Sequence, residues 1–363
     1  MQSAGIAVPE GFLVSGDDDA YDTPLAFPVA VKAQLKQGGR GKAGGVIKAS
    51  DAAEVHAAVN RILSTDFSGE RPDRVLVEEW QLAARELYLS VTIDGEADGY
   101  SVLYLPEGGI DVETSRPAVR YPVGQPDAFR GHEFRSILAT VEDDATVRER
   151  VVALARRLLR LARARDCLTI EINPLIVTAE GALVAADAKV VCDTAAAYRA
   201  ADVQDLLRAS WEREDAWSRR CLEADLMLVR LEGDVGLISG GAGMTMAVMD
   251  LIERAGGRPA CFLDCSANPT PTGYRVAFSL LDHADDVGAI LISIFGGATQ
   301  MERVARAMTD LMAERQAGKP VVFRLDGTNA DQASEIMREA GLINHATLED
   351  AVSSVVEAAK AAA

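Results

Sequence analysis

Apolar positions along the chain recur with two different periods, and these predict where strands and helices lie in the first 200 residues. Residues 86–93 alternate apolar and polar side chains, which is typical of a half-buried strand. Asp94-Gly95 predicts a turn, and residues 100–105 predict the second strand of a hairpin. In residues 51–63 and 147–164, apolar side chains recur every three or four positions, which predicts two amphipathic helices.

The second part of the chain repeats a strand followed by a helix. Strands are predicted at residues 235–238, 259–264, 288–295, 320–325 and 342–343, and helices at residues 244–255, 273–283, 301–314, 331–340 and 348–359. Strand–helix repeats build parallel sheets covered on both faces, so we predict an α/β fold with a doubly wound, flavodoxin-like sheet. Residues 206–228 are polar and helical, and they predict a connector between a first domain (residues 1–205) and this second domain (residues 229–363).

Composition and charge limit the class of partner. The chain has 363 residues, of which 48% are apolar, so it can bury sizeable cores. The net charge of −18 argues against nucleic acid and anionic membranes as partners. The sequence contains neither a membrane-spanning apolar run nor a signal-peptide pattern at its start. The five cysteines lack the spacing of a zinc site, so we expect reduced thiols in a cytoplasmic protein.

A basic, glycine-rich segment stands out against this acidic background. An apolar run leads to Lys32, and Gly38-Gly39-Arg40-Gly41-Lys42 follows soon after it. Glycines let backbone N–H groups approach an anion, and the cationic side chains add positive charge. The segment therefore predicts a loop that covers a polyphosphate. An exposed basic hairpin is the alternative for glycine clusters in general.

Residues 32–46 resemble the nucleotide-binding loop in the β subunit of succinyl-CoA synthetase (succinate–CoA ligase), which reads V-K-x-Q-x-x-x-G-G-R-G-K-A-G-G. The resemblance covers essentially the whole chain, except for a first helix expected before residues 4–6. It implies an N-terminal ATP-grasp domain, with Mg²⁺ as cofactor and ATP or GTP as a substrate. It also implies that the nucleotide is bound by Lys32, Gly39, Arg40, Gly41, Glu78, Gln81 and Glu86.

Asn173 and Asp187 are candidate metal ligands. Residues 168–172 and 182–186 predict two strands, and a turn between them can bring the two side chains together. One carboxylate and one amide oxygen suit Mg²⁺, which takes its other ligands from phosphates and water. On the residues alone, a turn-forming Asn-Pro and a solvated aspartate are the alternative. The resemblance assigns the metal to both residues, and it assigns Glu171 a catalytic role in seating a phosphohistidine loop.

Two glycine-rich loops of the second domain predict an anion site. Gly240 comes before a helix whose N–H groups and dipole attract negative charge, and a second such loop follows a later strand. The resemblance implies that the acid substrate binds at Gly240, Gly297, Ala298 and Thr299. The chain departs from the family there, with Gly240 in place of asparagine and Ser266-Ala267-Asn268-Pro269 in a glycine-rich position. We therefore predict that succinate is a poor substrate compared with a substituted or larger dicarboxylate, with Asn268 or Thr299 supplying the missing donor. Drift in a degenerate paralogue is the alternative.

None of the four histidines lies in a glycine-rich loop that would suit catalysis. The resemblance places the phosphorylated histidine and the CoA site in a separate α subunit. We therefore expect the chain to be the β-type subunit of an NTP-dependent carboxylate–CoA ligase, an NDP-forming acid–thiol ligase that works with that α subunit. The alternatives are a ligase of the same superfamily for malate, citrate or an unusual acid, and a non-catalytic regulatory subunit that retains nucleotide binding.

Overall fold

The chain folds into two compact units, Met1–Gln204 and Asp205–Ala363, each with its own hydrophobic cores. No helix in the part of the chain described below is both long and apolar enough to cross a membrane. The five cysteines are free, and four of them are buried. The computed structural model describes residues 1–15, 23–35, 40–109, 118–266, 270–297, 299–315 and 318–362.

The first unit begins with a four-stranded antiparallel sheet in the order β1–β4–β2–β3. Its strands are β1 (Gly11–Ser15), β2 (Val29–Ala33), β3 (Val46–Ala49) and β4 (Arg74–Glu79). Helix α1 (Ala52–Ser64) starts at the N-cap Asp51 and packs on this sheet. Val55, Val59 and Ile62 are buried in the contact, which confirms the helix predicted over this segment.

The larger sheet of the first unit has the order β10–β8–β5–β6–β7, with β9 beside β8. Its strands are β5 (Arg85–Asp94), β6 (Gly99–Leu105), β7 (Val119–Gly124), β8 (Cys167–Val177), β9 (Leu183–Ala185) and β10 (Ala188–Cys192). Helices α2 (Gly131–Leu138) and α3 (Ala145–Ala164) share its core. The hairpin of β5 and β6 and the long helix α3 confirm the two patterns from which they were predicted.

Strand β8 extends beyond the point at which its prediction ended. The sequence predicts that this strand stops before Asn173-Pro174, whereas β8 continues to Val177. The segment after the proline pairs with β5 on one side and with β9 on the other. Leu175 is fully buried there, so apolar burial keeps the chain in the sheet. As a consequence, Asn173 lies within a strand, between two neighbouring strands.

The second unit contains a five-stranded sheet in the order β11–β13–β12–β14–β15. Its strands are β11 (Met227–Arg230), β12 (Val235–Ser239), β13 (Cys261–Asp264), β14 (Ala289–Gly296) and β15 (Val321–Gly327). β11 is antiparallel to β13, and the remaining neighbours are parallel. Strand β11 begins inside the segment predicted as a connector.

Helices cover both faces of this sheet, which confirms the doubly wound prediction. The helices from residue 201 onward are α4 (Ala201–Trp211), α5 (Ala216–Glu223), α6 (Ala242–Arg254), α7 (Pro271–Asp282), α8 (Met301–Glu314), α9 (Ala330–Glu339) and α10 (Leu348–Ala362). Leu237 and Leu291 lie in one core with α6 and α10. Ile238 and Ile292 point to the opposite face and share a core with α7, α8 and α9.

The predicted strand at residues 342–343 is wrong. Asn344 forms a single isolated bridge to Phe323 instead of a strand. The Asn344 side chain occupies the edge of β15, because its Oδ1 accepts from the Leu325 N–H at 2.7 Å and its Nδ2 donates to the Leu325 carbonyl at 3.0 Å. A side-chain amide thereby satisfies the backbone groups that a fifth parallel strand would have paired.

Candidate functional site

A cavity of about 700 Å³ lies in the first unit, and residues of both of its sheets line the walls. Its lining includes nine residues that the sequence nominated: Lys32, Arg40, Gly41, Glu78, Gln81, Glu86, Glu171, Asn173 and Asp187. The tenth candidate in this unit, Gly39, lies outside the described residues. Positions far apart in the chain are thus brought to one site.

Lys32 and Glu78 form an ion pair in the wall of the cavity. They lie on the neighbouring strands β2 and β4, and Lys32 Nζ is 2.6 Å from Glu78 Oε1. Lys32 Nζ also donates to the Ala186 carbonyl at 2.7 Å, which links the smaller sheet to the segment before β10. Burial raises the pKa of Glu78 above its ordinary value, while the adjacent Lys32 acts in the opposite direction.

Arg40 holds the carboxylate of Asp187. Nε of Arg40 donates to Asp187 Oδ2 at 3.2 Å, and Nη2 donates to Oδ1 at 2.5 Å. Nη1 donates to the Ala33 carbonyl at 2.6 Å, which fixes the guanidinium beside the end of β2. The predicted phosphate ligand and the predicted metal ligand are therefore bonded to each other. A two-point guanidinium–carboxylate contact is among the stronger side-chain interactions.

Asn173 fixes the turn that follows β6. Its Oδ1 accepts from the Gly109 N–H at 2.7 Å, and its Nδ2 donates to the Gly109 carbonyl at 3.3 Å. Gly109 has a φ of 95°, and a β-carbon there would lie 2.5 Å from Glu86 Oε2. The positive φ favours glycine at this position, because other residues adopt that backbone conformation only with strain.

The sequence assigned no role to several cavity residues, namely Glu79, Trp80, Tyr88 and Lys189, whereas Lys42 was expected as part of the basic, glycine-rich segment. Tyr88 could have been predicted, because it lies two positions after Glu86 on β5 and so points to the same side of the strand. Lys189 lies two positions after Asp187, on β10. Lys189 is the register partner of Glu171 across β10 and β8. For Trp80, the only signal was its place after β4. Its ring carries the Lys48 ammonium at 4.9 Å from the centroid.

A second cavity, of about 710 Å³, shares part of this lining. The residues common to both cavities are Arg40, Glu78, Glu171, Asn173, Ala186, Asp187 and Lys189. These groups lie between the two spaces, so the site has room for a ligand on each side of them. Glu171 is the carboxylate of this shared wall to which the sequence assigned a catalytic role.

The donor atoms near Asp187 suit a magnesium ion. The Asn173 N–H donates to the Asp187 carbonyl at 3.1 Å, so these two residues are direct neighbours across the sheet. One carboxylate and one amide oxygen fit an ion that takes its other ligands from nucleotide phosphates and water. Among the described residues, no group of three or more His, Cys, Asp or Glu side chains is arranged to hold a metal. A metal ion that is bound to nucleotide phosphates needs few ligands from the protein.

In the second unit, the nominated residues lie at the carboxyl ends of β12 and β14. Gly240 follows β12, and Gly241 is the N-cap of α6 with a φ of 92°. The Gly241 N–H donates to Asp264 Oδ1 at 2.8 Å. After β14, the Gly297 carbonyl accepts from Thr328 Oγ1 at 2.7 Å. Thr299 is half-buried, and its side chain packs so close to Gly296 that a β-carbon there would clash. Ala298 and the proposed donor Asn268 lie outside the described residues.

Comparison with known proteins matches this architecture domain by domain. An ATP-grasp domain family matches residues 1–177, and a CoA-ligase family matches residues 238–363. The succinate–CoA ligase [ADP-forming] β subunit of Natronomonas pharaonis is 34% identical, covering 98% of this chain and 96% of that protein. The corresponding β subunit of Chlorobium luteolum is 33% identical, covering 99% and 97%.

A solved structure of ATP citrate lyase from Methanothrix soehngenii, in complex with citrate and coenzyme A, has the same fold. Its TM-score is 0.73 at 19% identity, over 96% of this chain and 92% of that chain. The two family matches and these β-subunit relatives together define an ATP-grasp CoA ligase of the acid–thiol class. Within that class, the chain belongs to the family of succinate–CoA ligase β subunits.

Proposed function

We infer that the chain binds a magnesium nucleotide in the cavity of its first unit and uses it to activate a dicarboxylic acid. The observation that carries this proposal is the convergence of nine nominated residues on one cavity. ATP is the expected nucleotide, because the relatives are named ADP-forming. Lys32, Arg40 and backbone N–H groups near Gly41 would hold the phosphates. Glu78, Gln81 and Glu86 would accept or donate bonds to the base and ribose.

In this proposal, Asn173 and Asp187 would hold a magnesium ion, and the ion would neutralise charge on the phosphates. Arg40 must release Asp187 as the nucleotide enters, and its guanidinium is then available to a phosphate oxygen. Asn173 keeps one acceptor site on Oδ1 while it continues to orient Gly109. Arg40 would then pair with a phosphate and Asp187 with the metal ion, so each side chain would keep a partner of opposite charge.

Phosphate would pass from the nucleotide to a histidine of a separate α subunit and then to the acid, before CoA captures the acyl group. Glu171 suits the seating of that histidine, because it lines both cavities and faces the register partner Lys189. The β-subunit names of the relatives support the need for an α partner. The acid would bind at the carboxyl ends of β12 and β14 in the second unit.

Reconstitution tests this proposal. The chain is co-expressed with an α-type protein that has a histidine loop, and CoA-dependent ADP release is measured with succinate, malate and citrate. We expect acid-dependent turnover, with a substituted dicarboxylate exceeding succinate in kcat/KM. If succinate is the best substrate, the predicted preference for a substituted dicarboxylate is wrong, but the predicted ligase activity is supported. ATP binding without turnover on any acid would favour a regulatory subunit.

A further inference from the structure

Three unsatisfied polar atoms lie side by side at the carboxyl edge of the sheet in the second unit. Within the described residues, five buried side-chain nitrogen or oxygen atoms have no hydrogen-bond partner. Three of these five are Ser239 Oγ, Ser293 Oγ and Arg324 Nε. Ser239 is the register partner of Ser293, and Ser293 is the register partner of Arg324. They form one continuous row across β12, β14 and β15, which we call the donor row.

The donor row points to the sheet face that α6 and α10 cover. Leu237 and Leu291 precede Ser239 and Ser293 by two positions and belong to the core with these two helices. The row therefore ends on the side of the sheet where α6 begins. The N-cap of α6 is a glycine without a side-chain cap, so the backbone donors and positive dipole end of α6 lie near the row.

The chemistry of the row fits an acceptor ligand. A serine hydroxyl can donate, and an arginine Nε can only donate. Asp264 is the register partner of Ser239 on β13, but its Oδ1 accepts from the N–H groups of Gly241 and Ser266, and no hydrogen bond joins it to Ser239 Oγ. Buried donors without acceptors are unfavourable, and native proteins retain them mainly where a ligand or a specific function uses them.

Arg324 contacts two side chains that reach the surface. Its Nη2 is bonded to Asp326, and its guanidinium lies 5.8 Å from the centroid of the Phe295 ring. Phe295 is half exposed, and Asp326 also reaches solvent. Ser293 lies two positions before Phe295 on β14, and Arg324 lies two positions before Asp326 on β15, so these two members of the row lie just below this solvent-exposed pair.

We propose that Ser239, Ser293 and Arg324 form the specificity-determining subsite for a carboxylate of the acid substrate. The proposal rests on the proposed function and adds three residues to the acid site that Gly240 and Gly297 were expected to form. It also replaces Asn268 and Thr299 as the source of the donor that Gly240 lacks. Arg324 supplies a positive charge, the two serine hydroxyls donate hydrogen bonds that orient the carboxylate, and the start of α6 supplies backbone N–H donors.

The test measures binding of acid anions to the full-length chain. Thermal unfolding and calorimetry are run with malate, succinate and citrate against chloride at equal ionic strength. Arg324→Met is expected to weaken the best acid about tenfold, the usual effect of losing a hydrogen bond to a charged group. Asp326→Asn frees Arg324 and is expected to tighten binding severalfold. Arg324→Lys keeps the charge without Nε and should fall between wild type and Arg324→Met.

Ser293→Ala separates a ligand-binding role from a structural one. It removes an unsatisfied hydroxyl, so we expect a higher melting temperature without ligand and a smaller stabilisation by the acid. Ser101→Ala is the matched control, because Ser101 is equally buried but donates to Asp94 in the first unit. It should lower the melting temperature and leave acid binding unchanged.

Acid anions that stabilise wild type, Arg324→Met and Ser293→Ala equally, or that bind none of them, would overturn the proposal. ATP is titrated into the same samples. If the wild-type chain binds ATP but no acid anion, the donor-row proposal fails, whereas a wild-type chain that does not bind ATP contradicts the proposed nucleotide function.

Discussion

Lys32 and Glu78 show how a single buried contact constrains the site. Their side chains are only 10% and 7% exposed, so each charge depends on the other and on the Ala186 carbonyl. Lys32→Met leaves a buried carboxylate without its partner. We expect the unfolding free energy of the first unit to fall by about 3–5 kcal/mol, the usual cost of orphaning a buried charge. Denaturant unfolding measures this loss.

The double variant Lys32→Met/Glu78→Gln is the control for that measurement. It removes both charges, so most of the lost stability should return. A Lys32→Met protein as stable as wild type would show that the ion pair has no structural role.

Arg40 and Asp187 lead to a second prediction at the residue scale. Because Arg40 occupies the Asp187 carboxylate, the protein should bind a divalent ion weakly without nucleotide. Arg40→Gln should strengthen Mn²⁺ binding in the absence of nucleotide by roughly two- to fivefold, as expected for a partly exposed ion pair. Electron paramagnetic resonance of free Mn²⁺ reports this directly. Unchanged or weaker Mn²⁺ binding would contradict the exchange of Asp187 between Arg40 and the metal.

These pairings also mark the limit of sequence reasoning about the site. The glycine-rich loop and the Asn173 and Asp187 positions could be nominated because their residue types suit phosphate and magnesium. That Arg40 contacts a residue 147 positions away could not be inferred, since only the packing of two sheets brings them together. The donor row could not be predicted for a related reason. Apolar runs do not reveal the register between parallel strands, and that register aligns the three side chains.

At the scale of elements, the connection from β5 to β7 depends on Asp94. Its carboxylate accepts from Ser101 Oγ at 2.5 Å and from Arg120 Nε at 2.7 Å. The Ser101 bond first, and then the Arg120 bond, lower the pKa of Asp94 to about 2. A lowered carboxyl pKa contributes stability above its unfolded value, and that stability is lost as pH falls from about 4 toward 2.

We therefore expect Asp94→Asn to be less stable than wild type at pH 5–7, with the difference shrinking as the pH falls toward 2. Urea unfolding over that pH range measures the difference. Glu96→Gln is the matched control, because Glu96 contacts the same arginine but is largely exposed, so its ion pair should contribute little. A difference between wild type and Asp94→Asn that does not vary with pH would contradict this account.

Element predictions succeeded where the pattern was long and failed where it was short. Helix α3 carries its apolar face over five turns, and the alternation in β5 covers residues 86–93, so both were predictable. The two apolar residues at 342–343 predicted a strand, but the Asn344 amide took its place on β15. Strand β8 was cut short in the prediction because Asn173-Pro174 looks like a strand end, whereas burial of Leu175 continues the strand.

At the scale of the whole molecule, the proposed nucleotide site and the proposed acid subsite belong to separate units. The residues proposed for the nucleotide all belong to the first unit, and the donor row belongs to the second. Each site can therefore be removed without the other. The order of the two matched families along the chain agrees with this division.

Calorimetric titration of Mg-ATP into the full-length chain shows whether the cavity of the first unit binds the nucleotide. Arg40→Gln and Arg324→Met serve as a matched pair, since each changes one arginine bonded to an aspartate, in the first and second unit respectively. We expect one nucleotide site, weakened about tenfold or more by Arg40→Gln through loss of a charge-assisted bond, and unchanged by Arg324→Met. Equal ATP affinity in wild type and Arg40→Gln, or a loss that appears only in Arg324→Met, would contradict it.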